Sequence, residues 1–100
     1  MKFIVNEVNS TNGLILIVSD ENIVGEKFSE KNWQLDLSKK FYAGKAVDEK
    51  ELKESIKKAY ILHLTGENAV KLGIELGLVD KDKVLVVQKV KHAEVVVENS

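Results

Sequence analysis

The chain has 100 residues, of which 44% are hydrophobic and 31% charged, and its formal net charge is −1. This length and balance predict one globular domain, residues 1–100, and exclude a disordered chain and a strongly basic nucleic-acid footprint. The absence of cysteine excludes disulfides and thiolate sites. Because the two histidines are also far apart in sequence, we expect no metal site and no cofactor.

The first two predicted elements are strands that form an antiparallel hairpin. Residues 2–8 and 13–19 flank a turn rich in Asn and Gly. The second strand contains the longest apolar run, Leu14–Val18, which is shorter than the roughly 20 residues of a membrane helix. Asn6 and Glu7 interrupt the N-terminal apolar stretch, which argues against a signal peptide. We therefore expect a cytoplasmic protein without membrane contact.

The next predicted elements are short. Ser19 and Asp20 are interpreted as a strand end and a cap before a single turn of helix that ends near Gly25. Residues 33–37 alternate, which predicts a half-buried strand with Trp33 on the same inward face as the two leucines. An aromatic loop, Phe41–Gly44, follows this strand.

Two helices are predicted in the second half of the chain. The first covers residues 49–59, because Asp48 is a good N-cap and Glu51 lies at the capping-box position. A short strand at residues 60–64 precedes the second helix, which begins at Thr65 or Gly66 and ends near residue 76. A glycine at position 77 fits a Schellman ending.

The last predicted strands are residues 84–87 and 95–97, with an interruption at His92–Glu94. A strand, helix, strand unit from about residue 60 to residue 88 favours neighbouring parallel strands joined by a right-handed crossover. We therefore predict the α/β class, with an N-terminal antiparallel hairpin and a C-terminal βαβ unit in one mixed sheet that carries both helices.

Five short fragments, by their order and spacing, resemble a family of small, mainly archaeal uncharacterised proteins, domain of unknown function 424. The fragments are Asn22–Lys27, Phe41–Gly44, Thr65–Val70, Leu76–Asp80 and Val90–Glu94. The chain has Lys91 where the family tends to have proline, and Glu94 where it tends to have glutamine. The resemblance implies no established activity, although its archaeal spread suggests translation or RNA handling.

The aromatic loop is the candidate contact surface for RNA. Base stacking on an aromatic ring, with lysines along the phosphate backbone, would use Lys39, Lys40, Phe41, Tyr42 and Lys45. All basic residues of the chain are lysines, which act as point charges, so tight phosphate clamps and specific base readout are disfavoured. The alternative is a structural loop with Phe41 anchored in the core and solvated lysines.

A second candidate site lies where a strand meets a helix N-terminus. The hypothetical ligand-binding residues are Thr65, Gly66, Glu67, Asn68 and His92, because unpaired amides and the helix dipole attract anions. The alternative is structural: Thr65 is a helix cap and Gly66 forms a tight turn. Glu67 also argues against an anion site, because its carboxylate would repel a phosphate. His63 is interpreted as a half-buried structural group.

The sequence thus predicts a non-catalytic binding module whose partner is RNA or a ribonucleoprotein. The alternative function is a small enzyme or an anionic-ligand-binding protein that uses Gly66 and His92. We assign no catalytic residue, and the sequence does not indicate the oligomeric state.

Overall fold

The two N-terminal strands pair as an antiparallel hairpin, as predicted. The computed structural model describes residues 2–97, and the hairpin consists of β1 (Phe3–Ser10) and β2 (Gly13–Asp20), which pair along their whole length. The predicted domain 1–100 also includes residues 1 and 98–100, which lie outside the described residues.

The other strands join this hairpin in one mixed sheet and one small sheet. They are β3 (Lys27–Glu30), β4 (Trp33–Asp36), β5 (Lys45–Val47), β6 (Ala59–Thr65), β7 (Leu85–Val87) and β8 (Val90–Val96). The six-stranded sheet has the order β5–β1–β2–β6–β8–β7, and β3 pairs with β4 separately. Only β2 and β6 are parallel neighbours among the described strands. The predicted mixed sheet with two main helices is confirmed.

The predicted side-by-side arrangement of β6 and β7 is wrong. Strand β8 lies between them and is antiparallel to both, so β6 and β7 run in the same direction without pairing. The physical reason is length, because β8 offers β6 a ladder along Ile61–Thr65 whereas β7 has only 3 residues. The strand, helix, strand unit is therefore split by an antiparallel strand.

The predicted interruption at His92–Glu94 is also wrong, since these residues lie inside β8. They continue the alternation of a strand: Ala93 is buried in the main core, and its two polar neighbours face the other side of the sheet. The turn before β8 has positive φ at Gln88 (49°) and Lys89 (69°). Neither residue type is a usual signal for such a hairpin turn.

The helices are α1 (Glu49–Ile56) and α2 (Glu67–Glu75). The Asp48 carboxylate accepts a hydrogen bond of 2.8 Å from the Glu51 amide, which confirms the predicted N-cap. The helix ends before residue 59 because Ala59 already belongs to β6. At the end of α2, Gly77 N–H donates to Ile74 and Leu78 N–H to residue 73, which is the predicted Schellman ending.

The two sides of the main sheet differ. Both helices contribute to a core on one side, which we call the helix face, and this core contains Phe3, Val18, Leu52, Leu62, Leu64, Val70 and Ala93. The other side, which we call the hairpin face, meets β3, β4 and the turn Lys40–Tyr42 through a smaller cluster around Leu35, Leu37 and Val87. No helix in residues 2–97 has the length and apolar character needed to cross a membrane.

Trp33 departs from the predicted burial of its strand. Leu35 and Leu37 are buried as expected, but Trp33 is 57% exposed. The cause is its position in the last residue pair before the turn of the β3–β4 hairpin, opposite Glu30. Strand β4 pairs only with β3 among the described strands, so Trp33 does not lie within the main sheet.

Candidate functional site

Strand pairing on the hairpin face brings together four polar side chains from distant parts of the chain. In the β6–β8 register, His63 lies opposite Glu94 and Thr65 lies opposite His92. Side chains two residues apart on a strand point to the same side, so these two pairs are neighbours on one face. The antiparallel ladder between the strands determines their spacing.

The side chains contact each other directly. His63 Nδ1 is 2.8 Å from Glu94 Oε1, and Thr65 Oγ1 is 2.8 Å from His92 Nδ1. The two imidazole centroids are 6.3 Å apart. In residues 2–97, His63, His92 and Glu94 bring three metal-ligating atoms within 4.8 Å of one another. We call these three residues the His–His–Glu cluster.

Burial controls the charge of the two rings. Burial lowers the pKa of His63, and the nearby Glu94 carboxylate raises it by less. Burial also lowers the pKa of His92, as does the proximity of His63, while Glu94 acts in the opposite direction. Although the 2.8 Å contact with Glu94 favours a charged His63, burial prevails, and both rings are predominantly neutral near pH 7 and offer a nitrogen lone pair.

A buried hydroxyl extends the polar row across the sheet. Ser19 in β2 lies in register with Thr65 in β6, which in turn lies opposite His92. Both hydroxyl residues are fully buried. Among the described residues, Ser19 Oγ has no hydrogen-bond partner. An unpartnered buried hydroxyl costs stability, so this row has unused hydrogen-bonding capacity next to Thr65.

The aromatic loop borders the cluster. The Phe41 ring makes edge contacts with Tyr42 at a centroid distance of 5.1 Å and with His63 at 5.4 Å. Phe41 is 41% exposed, whereas Tyr42 is half-buried against the smaller apolar cluster. Burial raises the pKa of the Tyr42 hydroxyl, and the Glu94 carboxylate adds to this shift.

The backbone of this loop is held in place. Asn6 Nδ2 donates a 3.0 Å hydrogen bond to the Phe41 carbonyl, and the turn is closed by Tyr42 N–H donating to Lys39. A Cβ at Gly44 would lie 2.1 Å from the carbonyl oxygen of Val5, so only glycine fits there. The exposed Phe41 ring is thus attached to a fixed backbone.

The structure groups only some of the predicted RNA-contact residues. Lys39 lines a shallow depression of about 290 Å³ with Phe41 and Tyr42, and Lys40 is exposed in the same turn. Lys45 lies in register with Val5, whose side chain is in the core of the helix face. Lys45 therefore points to the opposite side of the sheet, where its Nζ is 3.9 Å from Glu51.

The predicted anion site at α2 contains an internal carboxylate. Asp20 accepts hydrogen bonds from the amides of Asn68 (2.9 Å) and Ala69 (2.8 Å). Gly66 N–H donates to the Lys91 carbonyl. An external anion would have to displace the Asp20 carboxylate from these amides. Anion binding at this helix end stays a prediction, which the geometry disfavours.

The contact between Thr65 and His92 depends on a different strand pairing from the predicted one. The sequence argument placed His92 near Gly66 by assuming that β6 and β7 are neighbours, whereas the direct pairing of β6 with β8 produces the contact. The exposed Glu67 carboxylate pairs with the Lys91 ammonium at 3.2 Å and lies outside this contact.

Sequence reasoning did not identify Glu94 or the partnership between the two histidines. The available signal was the spacing, since His63 and Thr65, like His92 and Glu94, are separated by one residue. That spacing becomes informative only if residues 90–96 are assigned to one continuous strand. We expected no metal site because the two histidines are far apart in sequence. In the folded sheet, however, their side chains are close together.

The fold and site define a class: a small mixed α+β domain with a polar and aromatic site on one side of its sheet. The chain belongs to the family of proteins of unknown function DUF424, whose model matches residues 8–97. This confirms the resemblance inferred from the sequence.

Known structures provide a comparison for the fold. The chain is similar to an uncharacterized conserved protein from Methanopyrus kandleri, with a TM-score of 0.77 and 21% identity. The alignment covers 95% of this chain and 90% of the other chain. No curated protein matches the chain. At this identity, the comparison shows the fold alone.

Proposed function

We propose that this protein is a non-catalytic binding module for single-stranded RNA or a ribonucleoprotein, and that Phe41 is its central contact. The observation that carries this proposal is an aromatic ring, 41% exposed, on a loop whose backbone is fixed by Asn6 and Gly44. A ring held in this way stacks on a base without a large loss of conformational entropy.

The charge around the loop fits modest, sequence-tolerant binding. Lys39 and Lys40 are exposed in the turn that carries Phe41. Two phosphate contacts give a slope of about −1.4 for the logarithm of the binding constant against that of salt concentration, so affinity falls about sevenfold between 50 and 200 mM salt. With a net charge of −1, the module binds RNA weakly by itself and gains affinity inside a ribonucleoprotein. We expect a protein with this role to be cytoplasmic.

The test is fluorescence anisotropy with a labelled single-stranded RNA of about ten nucleotides. Phe41→Leu keeps apolar bulk but removes the aromatic surface, and we expect it to weaken binding about fivefold or more, which is the lower end of measured stacking energies. Tyr60→Leu is the matched control, because Tyr60 is an aromatic residue, 37% exposed, elsewhere in the fold. We expect Tyr60→Leu to bind like the parent protein.

Two results would reject the proposal. One is undetectable RNA binding at low salt, and the other is equal binding by the parent protein and Phe41→Leu. Phe41 is preferable to Tyr42 for this test because the half-buried Tyr42 packs against Leu35 and Leu37. Its replacement would disturb the fold as well as the surface.

A further inference from the structure

We propose that His63, His92 and Glu94 bind one divalent transition-metal ion of the zinc type on the hairpin face. Two imidazole nitrogens and one carboxylate oxygen form a donor set that suits zinc and similar ions rather than magnesium or calcium, which prefer oxygen ligands. The proposal is independent of RNA binding, and it replaces the expectation from the sequence that the chain has no metal site.

The separations within the cluster are close to those that an ion needs. A tetrahedral zinc ion with bonds of about 2.0–2.2 Å holds its ligand atoms about 3.3 Å apart. The present contact between His63 Nδ1 and Glu94 Oε1 is 2.8 Å, and all three ligand atoms lie within 4.8 Å of one another. The widest separation involves His92, because His63 and Glu94 are already in contact, and closing it requires a movement of up to about 1.5 Å of His92 relative to the other two side chains.

Thr65 orients the His92 ring for metal binding. Thr65 Oγ1 contacts His92 Nδ1, which leaves Nε2 as the nitrogen available to an ion. A hydrogen-bond partner on the second ring nitrogen is a common feature of metal-binding histidines, because it selects the tautomer and the ring orientation. Thr65 is fully buried, so this orientation is fixed by the core of the domain.

Two of the three residues are accessible to an ion from solvent. His63 and Glu94 line an open depression of about 290 Å³ together with Ile61, Val95 and Val96. Three protein ligands leave a fourth position on a tetrahedral ion, which a water molecule or an atom of a binding partner can take. This position lies on the same side of the sheet as Phe41, whose ring contacts His63.

The test uses untagged protein that has been treated with a chelator and then titrated with Co²⁺, whose visible absorption reports coordination, followed by displacement with Zn²⁺. We expect one bound ion per chain and a higher melting temperature with Zn²⁺. Glu94→Gln and His92→Gln should each weaken binding about tenfold or more, which is at least the loss caused by removing a residue that only supports a ligand.

The control is Glu67→Gln, an exposed carboxylate near β8 that pairs with Lys91 and lies outside the cluster. We expect this variant to bind Co²⁺ like the parent protein. Glu94→Gln alters an exposed side chain, so circular dichroism should show an unchanged fold. The absence of cobalt absorption bands in the parent protein, or equal affinity for Zn²⁺ in the parent protein and Glu94→Gln, would overturn the proposal.

Discussion

Asp20 shows how one side chain determines what the N-terminus of α2 can bind. Its carboxylate accepts hydrogen bonds from the amides of Asn68 and Ala69, so the positive end of the helix dipole already has an anion. The sequence correctly indicates that Ser19 and Asp20 end a strand, but the predicted cap of the adjacent turn is wrong, because the Asp20 side chain makes no capping hydrogen bond to Glu21–Ile23. The sequence could not show that Asp20 instead caps a helix that begins more than 40 residues later, because that contact is tertiary.

At the residue scale, we predict that Gly66→Ala strongly destabilises the protein. Gly66 has φ +114°, and an added Cβ would lie 2.4 Å from the Asp20 carboxyl carbon. The backbone conformation alone costs an alanine about 1–3 kcal/mol, and the overlap with Asp20 adds to this cost. Urea unfolding monitored by circular dichroism measures the loss.

Gly25→Ala is the matched control for this substitution. Gly25 has φ +98°, but a Cβ there would meet nothing within 4 Å. We therefore expect Gly25→Ala to show only the backbone cost, and Gly66→Ala to lose distinctly more free energy of unfolding. Equal losses in the two variants would show that Asp20 does not pack against Gly66 as described.

At the element scale, the site depends on the pairing of β6 with β8. Local patterns predict the β1–β2 hairpin, the Asp48 cap of α1 and the ending of α2, because each is determined by residues close in sequence. The position of β8 depends on long-range pairing and on a turn at Gln88 and Lys89 without a sequence signal. The His–His–Glu cluster was therefore not predictable from local rules.

The two histidines on this pair of strands should make the stability of the metal-free protein depend on pH. In the unfolded chain, histidine titrates near pH 6.5, whereas burial lowers the pKa of both His63 and His92 in the folded state. Below about pH 7, the unfolded chain thus binds more protons than the folded chain. The free energy of unfolding should fall as the pH decreases, by at most about 1.4 kcal/mol per pH unit for each ring.

Urea unfolding between pH 7.5 and 5.5, with a chelator present, measures this dependence. Apart from each other, the two rings face Glu94, Thr65 and Phe41, of which only the carboxylate titrates. A variant that combines His63→Gln with His92→Gln should show a flatter profile over the same range. A profile of equal slope in this variant, or a parent protein that gains stability as the pH falls, would contradict the account.

At the scale of the whole molecule, the two sides of the sheet differ in packing and in the side chains that they expose. The helix face buries the main core, with α1 and α2 packed on β1, β2, β6 and β8. The hairpin face has only a smaller apolar cluster, and it carries the His–His–Glu cluster and the exposed Phe41. We propose that the hairpin face is the binding surface and that the helix face is structural.

A titration of ¹⁵N-labelled protein with short single-stranded RNA at low salt shows which of the two faces binds RNA. We predict that the amide chemical shifts that change belong to Lys39, Lys40 and Phe41 and to neighbouring residues of the hairpin face. Three exposed lysines serve as an internal comparison because they line a groove beside α1, and they are Lys50 and Lys53 of α1 and Lys57 just after it. Changes centred on that groove, or no changes at all, would contradict the account.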